Sequence, residues 1–159
     1  MKNFLLITCL LIMSCSGCSK QEKGCMTVEP KAEEPQILAY AKADSINVTK
    51  HSSGIYYQII NPGSGAAPLQ NSNVSVTYIG QLLNGKTFDQ RTTPISFNLA
   101  RVIEGWQIGI PLIKNGGRIK LIIPSAYGYG CNPKKDANGN VIIPGNSVLY
   151  FDVTLINVL

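Results

Sequence analysis

The dipeptide Asn84-Gly85 constrains the fold strongly, because it lies between two segments that favour β-strands. Asn-Gly is the pair that a tight two-residue hairpin turn prefers. In the preceding segment, 74–82, apolar and polar residues alternate, with a gap at Gly80, as in a strand that buries one face. Residues 86–89 are therefore predicted to return antiparallel. The buried face of the first strand would carry Val74, Val76, Tyr78 and Leu82.

Other short apolar and β-branched runs, bounded by Gly, Pro or Asn, predict further strands. The chain's single Trp, Trp106, lies in a Gly-rich window that favours one short helix, 103–110, stopped by Pro111. Strands joined by hairpins, with one short helix, predict an α+β fold in which an antiparallel sheet packs against that helix. The predicted strands are 55–60, 74–82, 86–89, 95–99, 118–123 and 148–155.

The length and charge of the chain narrow the class of protein. With 159 residues, of which 45% are hydrophobic and 14% charged, the chain is predicted to form one domain with a buried core. The formal net charge is +5, but the basic residues are scattered and form no run that would follow a phosphate backbone. Nucleic-acid binding is therefore not expected.

Residues 1–14 are predicted to be a signal peptide of the lipoprotein type. Lys2 precedes an apolar run at 4–13, which is too short to span a hydrocarbon layer of about 30 Å as a helix. The sequence ending in Ser14-Cys15 resembles a bacterial lipobox, so the mature chain is expected to begin at an acylated Cys15, with Cys18 as the alternative. Acyl chains would anchor the protein to a membrane. The expected location is the bacterial cell envelope, facing the periplasm or the outside.

A tether is predicted between this anchor and the domain, over residues 15–53. Residues 19–35 are rich in Lys, Glu and Pro, as in a flexible spacer. A short helix is predicted at 36–43; it is too short for a dimerisation stalk, so a monomer is expected. Cys25 in the tether and Cys131 in a late loop would pair only if their Cα atoms came within bonding range, and the sequence leaves this open.

The domain predicted at 54–159 carries a set of motifs in a fixed order. The motifs are Val74-x-Val76-x-Tyr78-x-Gly80 with Asn84-Gly85-x-x-Phe88-Asp89, then Val102-Ile103-x-Gly105-Trp106, Tyr129-Gly130, Ile142-Ile143-Pro144 and Phe151-Asp152-Val153. With these motifs at this order and spacing, the chain resembles the FKBP-type peptidyl-prolyl cis-trans isomerases. The resemblance implies a strongly bent antiparallel sheet wrapped around one short α-helix, with a pocket between them.

The resemblance also implies roles for pocket residues. Trp106 would form the floor under a substrate proline, while Tyr129 and the backbone N–H of Ile103 would donate hydrogen bonds to substrate carbonyls. Asp89 would be a buried polar group beside the Tyr78 hydroxyl. Tyr129, Asp89 and Trp106 are thus the expected catalytic residues. The expected substrate-binding residues are Tyr78, Phe88, Phe97, Val102, Ile103, Phe151 and, on a flap, Ile142 and Ile143.

The chemistry of amide rotation suits such a pocket. Resonance opposes rotation by about 18–20 kcal/mol, and X–Pro bonds are the ones that populate both isomers. Because the twisted amide has lost charge separation, a dry aromatic cavity favours it over the planar amide in water. No bond is broken, so neither a cofactor nor a metal is expected. The expected partners are proline-containing polypeptides.

Two loops depart from the family pattern. The loop predicted at 90–94 is shorter than in many relatives, and Ile95 stands where some carry an aromatic residue. The loop 131–140 is longer and basic, with Asn138-Gly139 suggesting a hairpin tip. The acidic and amide residues of this loop resemble the start of a calcium-binding loop. The Gly and the Glu that such a loop requires are missing, so an ordinary turn is favoured. Both loops bear on which peptides dock.

Three functions compete on this sequence. The first is an envelope-anchored prolyl isomerase that accelerates the folding of exported proteins, because uncatalysed isomerisation takes tens of seconds. The second is an anchored chaperone or peptide-binding module with weak or no turnover. The third is a β-rich adhesion or assembly subunit, which predicts an inaccessible Trp106. The first is preferred because the set of pocket residues is complete.

Overall fold

The computed structural model describes residues 24–159. Residues 1–23, which include the predicted signal peptide and the candidate lipidation sites Cys15 and Cys18, lie outside the described residues. Within residues 24–159, no helix is both long enough and apolar enough to cross a membrane. The helices are α1 (Pro30–Ala43) and α2 (Glu104–Gly109); the strands are β1 (Thr49–Lys50), β2 (Tyr56–Asn61), β3 (Asn73–Leu82), β4 (Thr87–Asn98), β5 (Arg118–Ile123), β6 (Lys134–Lys135), β7 (Val141–Ile143) and β8 (Leu149–Val158).

The main sheet has six antiparallel strands in the order β1-β2-β5-β8-β3-β4, and β6 and β7 form a separate hairpin. Successive side chains of a strand point to opposite faces of its sheet. On one face, Leu121 and Val153 join the larger core, which includes residues of α2. On the other face, Ile122 and Tyr150 pack with residues of α1. The predicted α+β fold, an antiparallel sheet with a short helix against it, is confirmed.

Strand β3 buries the face that the alternation predicts. Val74 and Val76 are fully buried, and Tyr78 is nearly so. Gly80 stands where two aromatic rings approach the backbone, since a Cβ there would lie 2.7 Å from Phe151 and 2.8 Å from Phe88. The gap in the alternation therefore has a packing reason.

Strand β4 corrects the prediction of two short strands separated by a loop at 90–94. It runs without a break over 87–98. Its register with β3 shifts, so that three residues, 92–94, stand opposite the single residue Thr77 and bulge from the ladder. Because β4 is an edge strand, the missing N–H of Pro94 is tolerated there. The pairs on either side of the bulge are Val76↔Ile95 and Tyr78↔Arg91.

Helix α2 packs closely on β5 because two of its glycines face the sheet. A Cβ on Gly105 would overlap the side chain of Ile123, and one on Gly109 would lie 2.6 Å from Leu121. The helix is shorter than the predicted 103–110, and a 3-10 turn (Ile110–Leu112) follows it. The glycines on either side of Trp106 thus serve close packing.

Helix α1 begins at Pro30 rather than at residue 36, so part of the predicted tether is helical. Pro30 occupies a first-turn position, where its missing N–H leaves no intrahelical bond unmade. Pro35 disfavours a helix interior, but tertiary packing outweighs it, because Ile37 and Ala41 are buried against the sheet. This helix therefore belongs to the packed structure, although the composition predicted a spacer.

A disulfide joins Cys25 to Cys131, a pairing that the sequence left open. The two Cα atoms are 5.4 Å apart, within the range that such a bond spans. The bridge ties the segment before α1 to the loop before β6.

Helix α1 also carries a buried carboxylate. Glu33 is 2% exposed, and its Oε2 accepts a hydrogen bond of 2.8 Å from the backbone N–H of Ser125. Burial raises the pKa of the Glu33 carboxyl above its ordinary 4.5, against the lowering effect of hydrogen bonds from Ser125. The folded state therefore holds this proton more tightly than the unfolded chain does.

We expect Gly105→Ala to destabilise the chain by a net of about 1–2 kcal/mol. Overpacking of a core costs about 1–3 kcal/mol, and the upper part of that range applies because Ile123 is fully buried. Ala exceeds Gly as a helix former by roughly 1 kcal/mol, which offsets part of the loss. Urea denaturation measures the change, with Gly24→Ala, whose Cβ meets nothing, as the control. Equal stability of the two variants would contradict the close approach of α2.

The stability that protonated Glu33 contributes is complete below pH 4.5 and is lost as the pH rises through the raised pKa of the folded state. Glu33→Gln stays neutral, so we expect it to raise the melting temperature relative to wild type at about pH 8 and much less at about pH 4. Thermal unfolding followed by circular dichroism measures the two differences. An equal difference in melting temperature between variant and wild type at both pH values would argue against this role of burial.

Candidate functional site

A cavity of about 550 Å³ opens between α2, strands β3, β4 and β8, and the β6–β7 hairpin. Every side chain that the sequence analysis placed in a pocket lines this cavity. Two basic side chains, Arg101 and Lys134, line it as well and were not predicted to do so. The lining residues are Tyr78, Phe88, Asp89, Phe97, Arg101, Val102, Ile103, Trp106, Tyr129, Lys134, Ile142, Ile143 and Phe151.

Trp106 lines the cavity from the middle of α2 and is 4% exposed. The centre of its ring is 5.1 Å from that of Tyr78 and 5.3 Å from that of Phe151. The interplanar angles, 88° and 79°, are those of edge-to-face packing, which aromatic pairs prefer. The ring is therefore held in one orientation. Its Nε1 is buried without a hydrogen-bond partner among residues 24–159.

The remaining rings brace Trp106 and one another. Phe97 on β4 packs edge-on to Trp106 at 5.9 Å, and Phe88 packs edge-on to Phe151 at 5.5 Å. Edge-to-face pairs fix the ring planes as well as the distances. The cavity wall is thus an apolar surface of defined shape, fit to hold a compact apolar ring.

Tyr78 and Asp89 form the polar pair that the sequence predicts. The Tyr78 hydroxyl donates a hydrogen bond of 2.6 Å to Asp89 Oδ2. Burial, and then this bond, raise the pKa of Tyr78 above its ordinary 10, so the phenol stays protonated at neutral pH. The prediction that Asp89 is buried is wrong: its side chain is exposed, because β4 is the edge strand of the sheet.

Tyr129 lies on a tight turn after β5, between two glycines. The backbone N–H groups of Gly128 and Gly130 both donate to the carbonyl of Ser125, at 3.0 and 2.8 Å. Gly130 has a φ of 55°, which glycine adopts without strain. Burial raises the pKa of the Tyr129 hydroxyl, and the charge of Asp89 raises it further. At neutral pH the cavity therefore has a second protonated phenol.

The aliphatic part of the lining comes from two places in the chain. Val102 and Ile103 lead into α2, and Ile103 is its N-cap residue, where backbone N–H groups have no partner within the helix. Ile142 and Ile143 lie on β7, and Ile143 is nearly buried. The predicted tip at Asn138-Gly139 does turn the β6–β7 hairpin, so the loop 131–140 belongs to this hairpin and contributes Lys134 to the wall.

Arg101 and Lys134 make the mouth of the cavity basic. Both side chains are exposed, and Asp89 is the one acidic residue of the lining. The Lys134 ammonium lies 4.6 Å from the centre of the Tyr129 ring, a cation–π distance. The basic composition of the loop 131–140 was a signal for Lys134, whereas nothing in the sequence marked Arg101, which only precedes the Val102-Ile103 motif.

The arrangement can bind an apolar ring and offer hydrogen bonds to a carbonyl group. The Tyr78 hydroxyl already donates to Asp89, so the phenol donor left for a ligand is that of Tyr129, set in a mostly apolar wall with Arg101 and Lys134 at its mouth. Among residues 24–159, no cluster of three or more His, Cys, Asp or Glu side chains is placed to hold a metal ion.

Comparison with known proteins agrees with this geometry. The family model for FKBP-type peptidyl-prolyl cis-trans isomerases matches residues 65–156. FkpA of Escherichia coli strain K12, an FKBP-type peptidyl-prolyl cis-trans isomerase, is 40% identical over 146 residues, which are 90% of this chain and 51% of that protein. A probable FKBP-type isomerase of Haemophilus influenzae is 35% identical, over 88% of this chain and 57% of that protein.

Solved structures show the same fold. A peptidyl-prolyl cis-trans isomerase of Pseudomonas syringae pv. tomato aligns with a TM-score of 0.67 and 31% identity, over 82% of this chain and 96% of that one. FkpA of Escherichia coli aligns with a TM-score of 0.67 and 39% identity, over 81% of this chain and 60% of that one. The chain thus spans about half the length of the curated relatives it matches.

Proposed function

This chain belongs to the FKBP-type peptidyl-prolyl cis-trans isomerases, and from that premise we propose that it catalyses cis–trans rotation of X–Pro bonds in polypeptides. The observation that carries this proposal is the cavity, since residues that are far apart in the sequence assemble into one aromatic slot with hydrogen-bond donors. The alternative is a peptide-binding or chaperone module that keeps the slot but gives little turnover.

The slot would lower the barrier by preferring the twisted amide. A proline ring is compact and apolar, and in this proposal it lies over Trp106, whose ring is held by those of Tyr78 and Phe151. In the planar state the amide is stabilised by resonance, which gives a rotation barrier of about 18–20 kcal/mol, and by water bound to its polar carbonyl. The apolar wall replaces that water, which disfavours the polar planar form more than the twisted one.

Hydrogen-bond donors would orient the substrate. In this proposal the Tyr129 hydroxyl donates to one substrate carbonyl and the backbone N–H of Ile103 to another. Asp89 fixes the Tyr78 ring through the 2.6 Å bond and thereby keeps one wall in place. Ile142 and Ile143 cover the substrate from the hairpin side, where they line the cavity.

In the cell, we propose that the protein acts as a monomer on exported polypeptides at the bacterial envelope, anchored by lipid at Cys15, with Cys18 as the alternative site. The support for the anchor is the lipobox-like sequence before Cys15. The Cys25–Cys131 disulfide is the kind of bond that persists in oxidising compartments outside the cytosol. Mass determination of the purified membrane form would identify which cysteine is acylated.

We expect the chain to accelerate isomerisation of a proline peptide, measured by NMR exchange. Tyr129→Phe removes one donor and is expected to lower kcat about 2- to 10-fold, as the loss of a bond worth about 0.5–1.5 kcal/mol implies. Trp106→Leu removes the ring beneath the proline and is expected to lower kcat/KM further. Tyr57→Phe, on β2 and outside the cavity lining, is the control.

Other outcomes would favour the competing functions. If the folded chain gives no acceleration, yet proline peptides change the fluorescence of its single Trp, the peptide-binding module replaces the enzyme. If no proline peptide changes that fluorescence, the aromatic residues are ordinary core and the structural-subunit hypothesis gains.

We also expect the basic mouth to favour an acidic residue next to the substrate proline. Exposed charge pairs are worth about 0.2–1 kcal/mol, so kcat/KM should rise about 1.5- to 5-fold when Glu replaces Leu before proline, and fall with Lys. The double variant Arg101→Gln, Lys134→Gln should abolish the preference, and added salt should weaken it. Equal rates for the Glu and Lys peptides at low salt would contradict this expectation.

A further inference from the structure

The turn that carries Tyr129 is organised by the backbone of one residue, Ser125. The Ser125 carbonyl accepts hydrogen bonds from Gly128 and Gly130, the two neighbours of Tyr129. Glycines have the greatest backbone freedom, so without these bonds the turn would sample many conformations. The position of Tyr129 therefore depends on where Ser125 is held.

Ser125 is itself held from the opposite face of the sheet. Its backbone N–H donates to Glu33 Oε2 at 2.8 Å, and both residues are buried, with exposures of 0% and 2%. A carboxylate at this depth is costly to desolvate, and the described residues pair it with no Lys or Arg: their salt bridges join Lys50 to Glu34 and Arg118 to Asp152. Glu33 thus has a specific partner, the N–H that starts the Tyr129 turn.

A second connection reaches the same turn from the segment before α1. The Asn146 side chain accepts from the Val28 N–H at 3.3 Å and donates to the Met26 carbonyl at 3.0 Å. The backbone N–H of Asn146 donates to the Gly130 carbonyl at 2.7 Å. One residue therefore joins the segment at 26–28, the turn of Tyr129 and the chain that leaves the β6–β7 hairpin.

The disulfide makes a third connection. Cys25 is bonded to Cys131, which follows Tyr129 by two positions. We call the segment 25–33 the N-terminal clasp. It is connected to the Tyr129 turn at three places: at Ser125, where the turn begins, at Gly130, which follows Tyr129, and at Cys131, just after the turn.

We propose that the N-terminal clasp positions Tyr129 for catalysis, with Glu33 and Asn146 as positioning residues. This inference rests on the proposed isomerase function. A hydrogen-bond donor contributes only when it is held within a fraction of an ångström of its working position. The clasp lies outside residues 65–156, which match the family model, so this support comes from a part of the chain that precedes the residues of that model.

Glu33→Met and Glu33→Gln separate positioning from folding in the full chain, solubilised in detergent. Met fills a similar volume but accepts no hydrogen bond from Ser125, whereas Gln keeps an acceptor in place. We expect Glu33→Met to lower kcat about 2- to 10-fold, up to the full effect of Tyr129→Phe, with KM changed less than about twofold. Glu33→Gln, which keeps the acceptor, should have the kcat of the wild-type chain. Glu34→Gln, on the exposed neighbour that pairs with Lys50, is the matched control.

A double-mutant cycle with Tyr129→Phe tests whether Glu33 acts through Tyr129. If it does, Glu33→Met has no further effect on kcat once the Tyr129 hydroxyl is gone. Independent, multiplying losses of kcat would overturn the proposal, as would a folded Glu33→Met chain with the kcat of wild type. If the wild-type chain gives no turnover, the isomerase function is wrong as well. The wild-type rate alone decides this, so the outcome is distinguished from a failure of the cycle.

Asn146→Asp provides a second variant should Glu33→Met fail to fold. Asp tolerates the left-handed backbone of position 146, where φ is 56°, and keeps an acceptor for the Val28 N–H. It loses the donor to the Met26 carbonyl. We expect a smaller fall in kcat that again vanishes beside Tyr129→Phe. Asn84→Asp, in the hairpin turn between β3 and β4, is the control, and equal kcat for the two Asp variants would overturn the role of Asn146.

Discussion

The close approach of α2 to β5 is the constraint on which the cavity depends. Gly105 and Gly109 present no side chain to Ile123 and Leu121, so the helix lies directly on the sheet. The position of the helix on the sheet sets how deeply Trp106 lies among the aromatic rings around it. Edge-to-face contacts depend on distance and angle together, so a helix held further out would lose both the shape of the slot and the exclusion of water from it.

The two faces of the sheet pack against different parts of the chain. Side chains of β5 and β8 alternate between the core behind the cavity and the cluster under α1. Helix α1 is therefore more than a cover for the outer face, because Glu33 reaches the backbone that starts the Tyr129 turn. Together with the Cys25–Cys131 bridge, it connects a segment that precedes the residues of the family model to the site.

Elements whose sequence follows their local geometry were predictable. The alternation in β3 and the strand ended by Pro124 both match the structure, since burial of one face and a fixed φ are local properties. Where the tertiary context outweighed local preference, the prediction was wrong. The sequence predicted a loop at 90–94, but these residues continue an edge strand with a bulge at 92–94, and Pro35 does not prevent a helix that the sheet stabilises.

The sequence by itself determined strands β2, β3, β5 and β8 and the hairpin at Asn84-Gly85, because each follows a local pattern, and its spaced motifs indicated the aromatic and aliphatic residues that line the cavity through their resemblance to a family. Only the tertiary structure decided that Glu33 meets Ser125 and that Arg101 stands at the mouth of the cavity. It also decided the exposure of Asp89. These features depend on how strands distant in the chain are ordered in the sheet, and no local pattern of residues encodes that order.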